Sequence, residues 1–264
     1  MLELNKIYYM DCFKFLEKID DEIINLAVID PPYNMGKGAW DTFKSQETFL
    51  DFTYKWIDAL LPKLHKTGSI YIFNTPFNSA YILQYLINKG MVFQNWITWD
   101  KRDGFSATKK KYVNGQETIL FFTKSKEHTF NADEIRVPYE SEDRIKYAMM
   151  KGILKNGERW YPNTKGRLCG EVWHITSERL KNKINGRTVK LPHPTIKPLE
   201  LVERIVKASS NKGDLVLDCF IGSGTTAVAA KKLGRNFIGC DNNKDYVDIA
   251  RKRIRDIEKQ QRLD

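Results

Sequence analysis

The sequence predicts an α/β fold built on a doubly wound, mostly parallel seven-stranded sheet. Apolar runs of strand length alternate with stretches of helical period, and several of the runs end in a polar or glycine-rich turn. Two such turns are prominent, one at residues 30–33 after an apolar run and one at residues 220–225 after another. Ligands gather at the carboxyl ends of strands in such a sheet, so we expect both turns on one rim.

The predicted elements of the amino-terminal half follow in chain order. A strand over 6–10 precedes a helix over about 13–19, and a strand over 23–29 leads into the first turn. A helix over 46–64 precedes a strand over 69–73, and a helix over 78–88 follows. Strands over 92–99 and 118–122 are expected to pair as a hairpin at the sheet edge.

The carboxy-terminal part repeats the strand and helix alternation. A buried strand from residue 214 runs into the glycine-rich turn, and a helix over 227–233 and a strand over 236–240 follow. A strongly charged last helix over 244–260 is expected on the surface. Between 124 and 190 the apolar periodicity fades, Gly, Asn and Pro recur, and basic residues outnumber acidic ones. This segment indicates a loop-rich insertion outside the sheet.

The first turn, Asp30-Pro31-Pro32-Tyr33, has the groups needed to handle an aromatic amine. Asp30 offers a carboxylate acceptor, and the two prolines fix the direction of a backbone carbonyl. Tyr33 offers a flat face on which a base can stack. A strand that simply ends in a proline-rich turn with a buried aromatic remains the alternative.

The second turn is typical of nucleoside binding. Its glycines permit close backbone approach, and the helix that follows presents free N–H donors. Asp241 ends the next strand, about 20 residues past the glycines, where doubly wound sheets bind ribose hydroxyls. The dinucleotide fingerprint is not met, because Phe220 stands where its first glycine would be. A turn that binds nothing is the alternative.

Three motifs in an unusual order resemble those of the β-class DNA adenine methyltransferases, which use S-adenosylmethionine. Residues 30–33 are similar to the catalytic motif of that family, residues 218–226 to its cofactor loop, and residues 193–199 to the segment before that loop. The resemblance covers nearly the whole chain. It is strongest to restriction–modification methyltransferases of the MboII type, with which residues 93–104 are shared.

The resemblance implies a circularly permuted Rossmann-like methyltransferase fold with three parts. Residues 1–123 would form the catalytic half, 124–190 a target-recognition insertion, and 191–264 the cofactor-binding half. The activity implied is transfer of a methyl group from S-adenosylmethionine to the 6-amino group of an adenine flipped out of a short duplex site. The predicted catalytic residues are Asp30, Pro31, Pro32 and Tyr33.

The family also implies roles in cofactor binding. Asp241 would bind the ribose, Lys197 and Thr195 the methionine carboxylate, and Asp11 with Cys12 the adenine ring. No metal is expected, since the four histidines lack ligand spacing. The predicted cofactor-binding residues are Asp11, Cys12, Asp30, Thr195, Lys197, Asp218, Phe220, Gly222, Ser223, Gly224, Thr225 and Asp241.

The basic insertion supplies candidate readers of DNA bases, although a contact to phosphate or solvent is the alternative for each. The loop over 101–112 could clamp a phosphate near the flipped base or be a solvated hairpin tip. Trp160, Tyr161 and Trp173 are predicted to form the core of the insertion. The candidate readers are Arg136, Arg144, Lys155, Arg159, Arg167 and Arg179.

The composition agrees with a nucleic-acid partner. The net charge is +10 and the sequence pI about 9.3, which suits double-stranded DNA. No membrane span or signal peptide is evident, and four cysteines without paired spacing are expected reduced, so the expected location is cytoplasmic. The resemblance suggests a homodimer, a cognate restriction endonuclease acting on the same site, and an asymmetric site such as GAAGA.

Four alternatives stay open at this stage. Cytosine 4-amino methylation uses the same chemistry, but in those enzymes Ser usually starts the catalytic motif. RNA methylation would suit the same positive charge. A protein or small-molecule methyltransferase would more often have Asn at the position of Asp30. A DNA-binding subunit without catalysis would not need Asp30, Tyr33 and Asp241 together.

Overall fold

The computed structural model describes residues 2–105, 109–110, 112–178, 183–184, 187–188 and 196–260. Its largest element is a mixed sheet of eight strands, which in spatial order span residues 6–9, 236–241, 215–218, 24–29, 64–74, 114–123, 92–105 and 172–174. Within it the pairs that involve the strand over 114–123 are antiparallel, whereas all the other pairs are parallel. The predicted fold class is therefore confirmed, with one strand more than the seven expected.

The amino-terminal half contributes five strands and three helices to this sheet. The helix predicted over 46–64 ends at Leu60 and continues as a 3-10 turn over Leu61–Lys63, because Pro62 cannot donate the next helical hydrogen bond. The elements are β1 (Lys6–Tyr9), α1 (Cys12–Leu16), β2 (Ile24–Ile29), α2 (Gln46–Leu60), β3 (Leu64–Asn74), α3 (Pro76–Asn88), β4 (Val92–Phe105) and β5 (Asn114–Thr123).

The remaining elements comprise the insertion and the glycine-rich half. The last helix has the predicted bounds. The elements are α4 (Glu142–Lys151), β6 (Ile153–Lys155), β7 (Glu158–Trp160), β8 (Val172–His174), β9 (Lys183–Ile184), β10 (Arg187–Thr188), α5 (Leu199–Ser209), β11 (Leu215–Asp218), α6 (Thr225–Lys232), β12 (Asn236–Asp241) and α7 (Lys244–Gln260).

The edge of the sheet differs from the prediction. Strands β4 and β5 pair as the expected hairpin, but β8 adds to the outer side of β4, with Trp173 opposite Trp99. The insertion was predicted to lie outside the sheet, and for β8 this is wrong. Trp173 is only 5% exposed and belongs to the main core, so burial of this one aromatic side chain explains the docking.

The core has two halves, one on each face of the sheet. Helices α1, α2 and α3 cover one face through residues such as Phe15, Trp56 and Leu86. Helices α5, α6 and α7 cover the other through residues such as Ile205 and Val247. Strand β2 serves both faces because its side chains alternate, which is why it reads as a continuous apolar run.

The point where the chain reverses its winding direction lies between β11 and β2. From β2 the chain proceeds through α2 to β3 on one side, whereas from β11 it proceeds through α6 to β12 on the other. Strands β11 and β2 are direct parallel neighbours, with Leu217 opposite Ala27. Their carboxyl ends therefore open a crevice at the switch point, where doubly wound sheets bind ligands.

Candidate active site

Both predicted turns line one pocket at this switch point. The pocket has a volume of about 710 Å³, which is within the range of small-molecule sites. Residues 30–33 form one wall, and residues 218–223 with Asp241 form another. The expectation that folding brings the prolyl turn and the glycine-rich turn to one rim is confirmed.

Asp30 lies at the centre of a buried network. Its Oδ1 accepts a hydrogen bond from the Tyr33 hydroxyl at 2.8 Å, and its Oδ2 pairs with Lys197 Nζ at 2.6 Å. Burial raises the pKa of Asp30 above its usual value, and the positive charge of Lys197 opposes that rise. Asp30 is thus a partly exposed carboxylate on the pocket wall, paired with one cation.

A second carboxylate, Glu117 on β5, belongs to the same network and was missed in the sequence. Its Oε2 accepts from the Tyr33 hydroxyl at 3.1 Å and lies 3.5 Å from Lys197 Nζ, and its Oε1 lies 3.1 Å from Lys101 Nζ. Burial alone would raise the pKa of Glu117, but the two lysines more than offset it, so the pKa lies below its usual value. A lone charged residue at the start of an apolar strand was the available signal.

The chain after Tyr33 is fixed by Asp41, which was also missed. The Asp41 carboxylate accepts hydrogen bonds from the backbone N–H groups of Tyr33, Asn34, Met35 and Lys37, at 2.6 to 3.1 Å. Its side chain is buried, with 1% of the residue exposed. One carboxylate thus satisfies four donors of a turn that has no sheet partner, and it holds Tyr33 in place.

Asp218 and Asp241 shape the glycine-rich turn. Asp218 accepts from Phe220 N at 3.0 Å and from the Thr226 hydroxyl at 2.7 Å, and burial raises its pKa to about 7. Asp241 accepts from Gly222 N at 2.9 Å, and burial raises its pKa as well. Gly224 has φ +83°, and a Cβ there would lie 2.7 Å from Ala250 Cβ, so the close packing of α6 on α7 requires glycine.

The other predicted cofactor residues surround the same pocket. Asp11 caps α1 and lines the pocket with Cys12, whose pKa burial raises to about 12. The Ser223 and Thr225 hydroxyls both contact the Arg253 guanidinium, which links the turn to α7. Lys197 was predicted to hold the methionine carboxylate, but here its ammonium group lies between Asp30 and Glu117. Thr195 and His193 lie outside the described residues.

The predicted base readers of the insertion are spread over its surface. Arg136 pairs with Asp133, Arg167 pairs with Glu140, and Arg159 donates to the Lys151 carbonyl. Lys155 is exposed on β6. The side chains of Arg144 and Arg179 lie outside the described residues, as does part of the basic loop over 101–112.

The aromatic residues of the insertion do not form the core predicted for them. Trp160 is 50% exposed and Tyr161 53% exposed. Trp173 is buried, but against the main sheet rather than within the insertion. The prediction was wrong because the β6–β7 ribbon pairs only with itself and packs too little apolar surface to build a separate core.

Three further properties of the described residues concern the cysteines, the hydropathy of the helices and the side chains that could bind a metal. All four cysteines are free, and three of them are buried. No helix in the described part is long and apolar enough to cross a membrane. Within the same residues, no group of three or more His, Cys, Asp or Glu side chains is arranged to hold a metal ion.

A doubly wound sheet with a carboxylate-bearing prolyl turn and a glycine-rich turn at its switch point defines the class of α/β methyltransferases. A model of the DNA methylase family matches residues 24–252. The chain therefore belongs to the N6/N4 DNA methylase family.

Similar proteins agree with this membership. The chain is 67% identical over 250 residues to the type II methyltransferase M1.MboII of Moraxella bovis, covering 95% of this chain and 96% of that protein. It is 37% identical to the type II methyltransferase M.HpaI of Haemophilus parainfluenzae, over 92% of this chain and 72% of that protein.

Among solved structures, the M1.HpyAVI complex with SAM has a TM-score of 0.62 and 26% identity. That match covers 94% of this chain and 98% of the other. The cytosine-N4-specific PvuII DNA methyltransferase has a TM-score of 0.69 over 94% of this chain and 85% of the other, and at 18% identity it supports the fold alone.

Proposed function

We propose that the protein transfers a methyl group from S-adenosylmethionine to the 6-amino group of adenine in a short double-stranded DNA site. The single observation that carries this proposal is the shared pocket, in which the Asp30 carboxylate faces the glycine-rich turn and Asp241. The 67% identity to M1.MboII supports a role in a type II restriction–modification system.

The residues of the pocket fit the methyl donor. Asp241 is a half-buried carboxylate suited to ribose hydroxyls, and residues 220–223 line the same space. When bound there, S-adenosylmethionine supplies a methyl group already activated by a sulfonium. The Phe220 ring closes one side of the pocket and is held edge-on by Phe52 and Trp56.

The residues of the prolyl turn, on the other wall of the pocket, account for the reaction. The target base must leave the duplex, at a cost of a few kcal/mol in unstacking and unpairing, and it then stacks on Tyr33. Asp30 and the Pro31 carbonyl accept hydrogen bonds from the amino group and localise its lone pair for attack. As positive charge grows on the nitrogen, Asp30 binds it more strongly, so the transition state is stabilised more than the ground state.

The family model spans N6 and N4 methylation, so the choice of base needs its own support. Asp at the first position of the catalytic motif favours adenine, since enzymes that methylate the 4-amino group of cytosine usually have Ser there. Cytosine 4-amino methylation is the second candidate. It requires the same positioning of an exocyclic amine and differs in which ring the pocket admits.

The decisive experiment maps methylated bases in DNA from a methylation-deficient host that expresses the protein. The expected result is 6-methyladenine at one short asymmetric site, and 4-methylcytosine would select the second candidate. Asp30→Ala should abolish methylation while cofactor binding, measured by calorimetry, largely survives. Full methylation by that variant would refute the assignment of Asp30.

Further proposals concern the setting of this activity. We expect the protein to act in the cytoplasm, as a homodimer, and to protect DNA from a cognate restriction endonuclease with the same site. Its net charge of +10 favours a polyanionic partner. Candidate readers of the site are the basic residues of the insertion, whose boundaries at 124 and 190 stay predictions.

A further inference from the structure

Glu117 has no role in the reaction as described so far, yet it shares two partners with Asp30. The Tyr33 hydroxyl lies 2.8 Å from Asp30 Oδ1 and 3.1 Å from Glu117 Oε2. Lys197 Nζ likewise lies 2.6 Å from Asp30 and 3.5 Å from Glu117. The two carboxylates are thus connected through a hydroxyl group and share a cation.

The position of the Tyr33 hydroxyl between two carboxylates indicates a proton path. A phenol has one hydrogen and can donate to only one acceptor at a time. With both carboxylates ionised, one of the two short oxygen contacts therefore has no hydrogen in it. With a proton on Asp30, both contacts are satisfied, because Asp30 donates to Tyr33 and Tyr33 donates to Glu117.

The reaction produces a proton that needs such a path. The amine lone pair forms the new N–C bond, the S–CH₃ electron pair returns to sulfur, and the nitrogen keeps an N–H hydrogen in excess. Asp30 is the acceptor next to that nitrogen. The Asp30 side chain is 25% exposed and lines the pocket, so the base and the methyl donor cover it while they are bound, and an internal route takes this proton away in that state.

We propose that Glu117 receives, through the Tyr33 hydroxyl, the proton that Asp30 takes from the methylated amine. In this step Asp30 gives its proton to the Tyr33 oxygen while the Tyr33 hydrogen moves to Glu117, so the phenol is unchanged. Glu117 then releases the proton to water. The proposal rests on the proposed function of Asp30 as the partner of the amine.

The residues around Glu117 favour release of a proton from its carboxyl group. Lys101 pairs with its Oε1, and the Lys101 side chain is 22% exposed, so the path ends at a cation near solvent. Lys101 and Lys197 hold the pKa of Glu117 below its usual value against the effect of burial, while burial raises the pKa of Asp30. A proton that reaches Glu117 therefore leaves readily.

The test compares first and later turnovers of the full-length protein by rapid quench, on a duplex that contains the mapped site. Glu117→Gln keeps the shape and an acceptor oxygen but cannot take a proton. Its first turnover should stay within about threefold of wild type, and later turnovers should slow at least about tenfold, giving a burst of one methyl group per active site.

A rescue experiment separates a proton path from a merely structural role. In Glu117→Ala the slow later turnovers should recover with added formate, a small carboxylate that can occupy the vacated space. The matched control is Glu258→Gln, which removes a surface partner of Lys231 and should turn over like wild type.

Three outcomes would overturn the proposal. They are later turnovers of Glu117→Gln at the wild-type rate, an equal loss in first and later turnovers, and no recovery of Glu117→Ala with formate. If Asp30→Asn proves fully active, the role of the Asp30 carboxylate as partner of the amine fails, and if DNA mapping finds no methylated base, the proposed function itself fails. If Asp30→Asn is inactive and Glu117→Gln behaves normally, only the proton path fails.

Discussion

Lys197 Nζ lies 2.6 Å from Asp30 Oδ2, and this contact joins two positions 167 residues apart in the chain. It connects the segment that precedes α5 to the turn that follows β2. Lys197 is buried and Asp30 is partly exposed, and the shortest charged contact of each is with the other. The cation therefore helps to keep Asp30 ionised and able to receive an amine.

Replacing Lys197 by Met should shift the pH dependence of methyl transfer. Lys197 lowers the pKa of Asp30, so its removal raises that pKa further. Asp30 would then be protonated over more of the acidic and neutral range, and activity should be lost there and regained as pH rises. The acidic limb of the single-turnover rate profile should move to higher pH.

The matched control for this shift is Lys55→Met, which removes an exposed ion pair with Asp51. It should leave the acidic limb in place. Calorimetry with S-adenosylmethionine would show separately whether Lys197 contributes to cofactor binding. An unchanged acidic limb in Lys197→Met would contradict the electrostatic role.

Replacing Asp41 by Ala should destabilise the protein and reduce activity together. Four backbone N–H groups lose their acceptor, and the unfolding free energy should fall by at least about 2 kcal/mol. Tyr33 loses its support at the same time, so the methylation rate should also fall. Urea unfolding and single-turnover kinetics measure the two effects.

Asp51→Asn is the control for Asp41, since Asp51 lies exposed on α2. Its stability and methylation rate should match those of wild type. A stable and fully active Asp41→Ala would mean that the turn after Tyr33 holds its shape without this carboxylate.

Asp218 should make stability depend on pH in a way that Asp218→Asn abolishes. Burial raises its pKa from 3.8 to about 7, so the folded state binds this proton more tightly than the unfolded state. The resulting stability is present below the unfolded pKa and is lost as pH rises towards about 7. Relative to Asp218→Asn, wild type should lose up to about 1.4 kcal/mol per pH unit across that window.

The measurement is urea unfolding of both proteins at several pH values between about 4.5 and 8. Over this pH range the folded and unfolded states of wild type bind different numbers of protons at Asp218. Other titrating groups are common to both proteins and cancel in the difference. Asp256→Asn, at an exposed position on α7, should show no such slope against wild type. A flat difference for Asp218→Asn would show that this carboxylate ionises as easily in the folded state.

The sequence was sufficient for the fold class and for the two turns of the site. Strand β2 and the turn at residues 30–33 are local patterns, and the glycine-rich turn is another, so each could be recognised without its neighbours. Sheet topology then places both at one switch point. The Asp30 and Asp241 positions followed from those local patterns.

The rest depended on contacts between distant residues. Glu117 looks like an ordinary charged residue at the start of a strand, and only the pairing of β3 with β5 brings it to Tyr33. Asp41 follows a glycine-containing loop whose shape it creates. The docking of Trp173 on the sheet is a packing contact. A three-residue strand within a polar segment is too short to show a sequence pattern that predicts it.

The attachment of β8 beside β4 has a practical consequence for changing the DNA specificity of this enzyme. Trp99 on β4 is opposite both Glu117 on β5 and Trp173 on β8, so the insertion proposed to read DNA is joined through β4 to the strand that carries a charged group of the pocket. Grafts that exchange the polar stretch before Glu171 while retaining residues 172–174 would preserve that anchorage. Swaps that remove Trp173 would uncover the flank of β4 and disturb the chemistry along with the specificity.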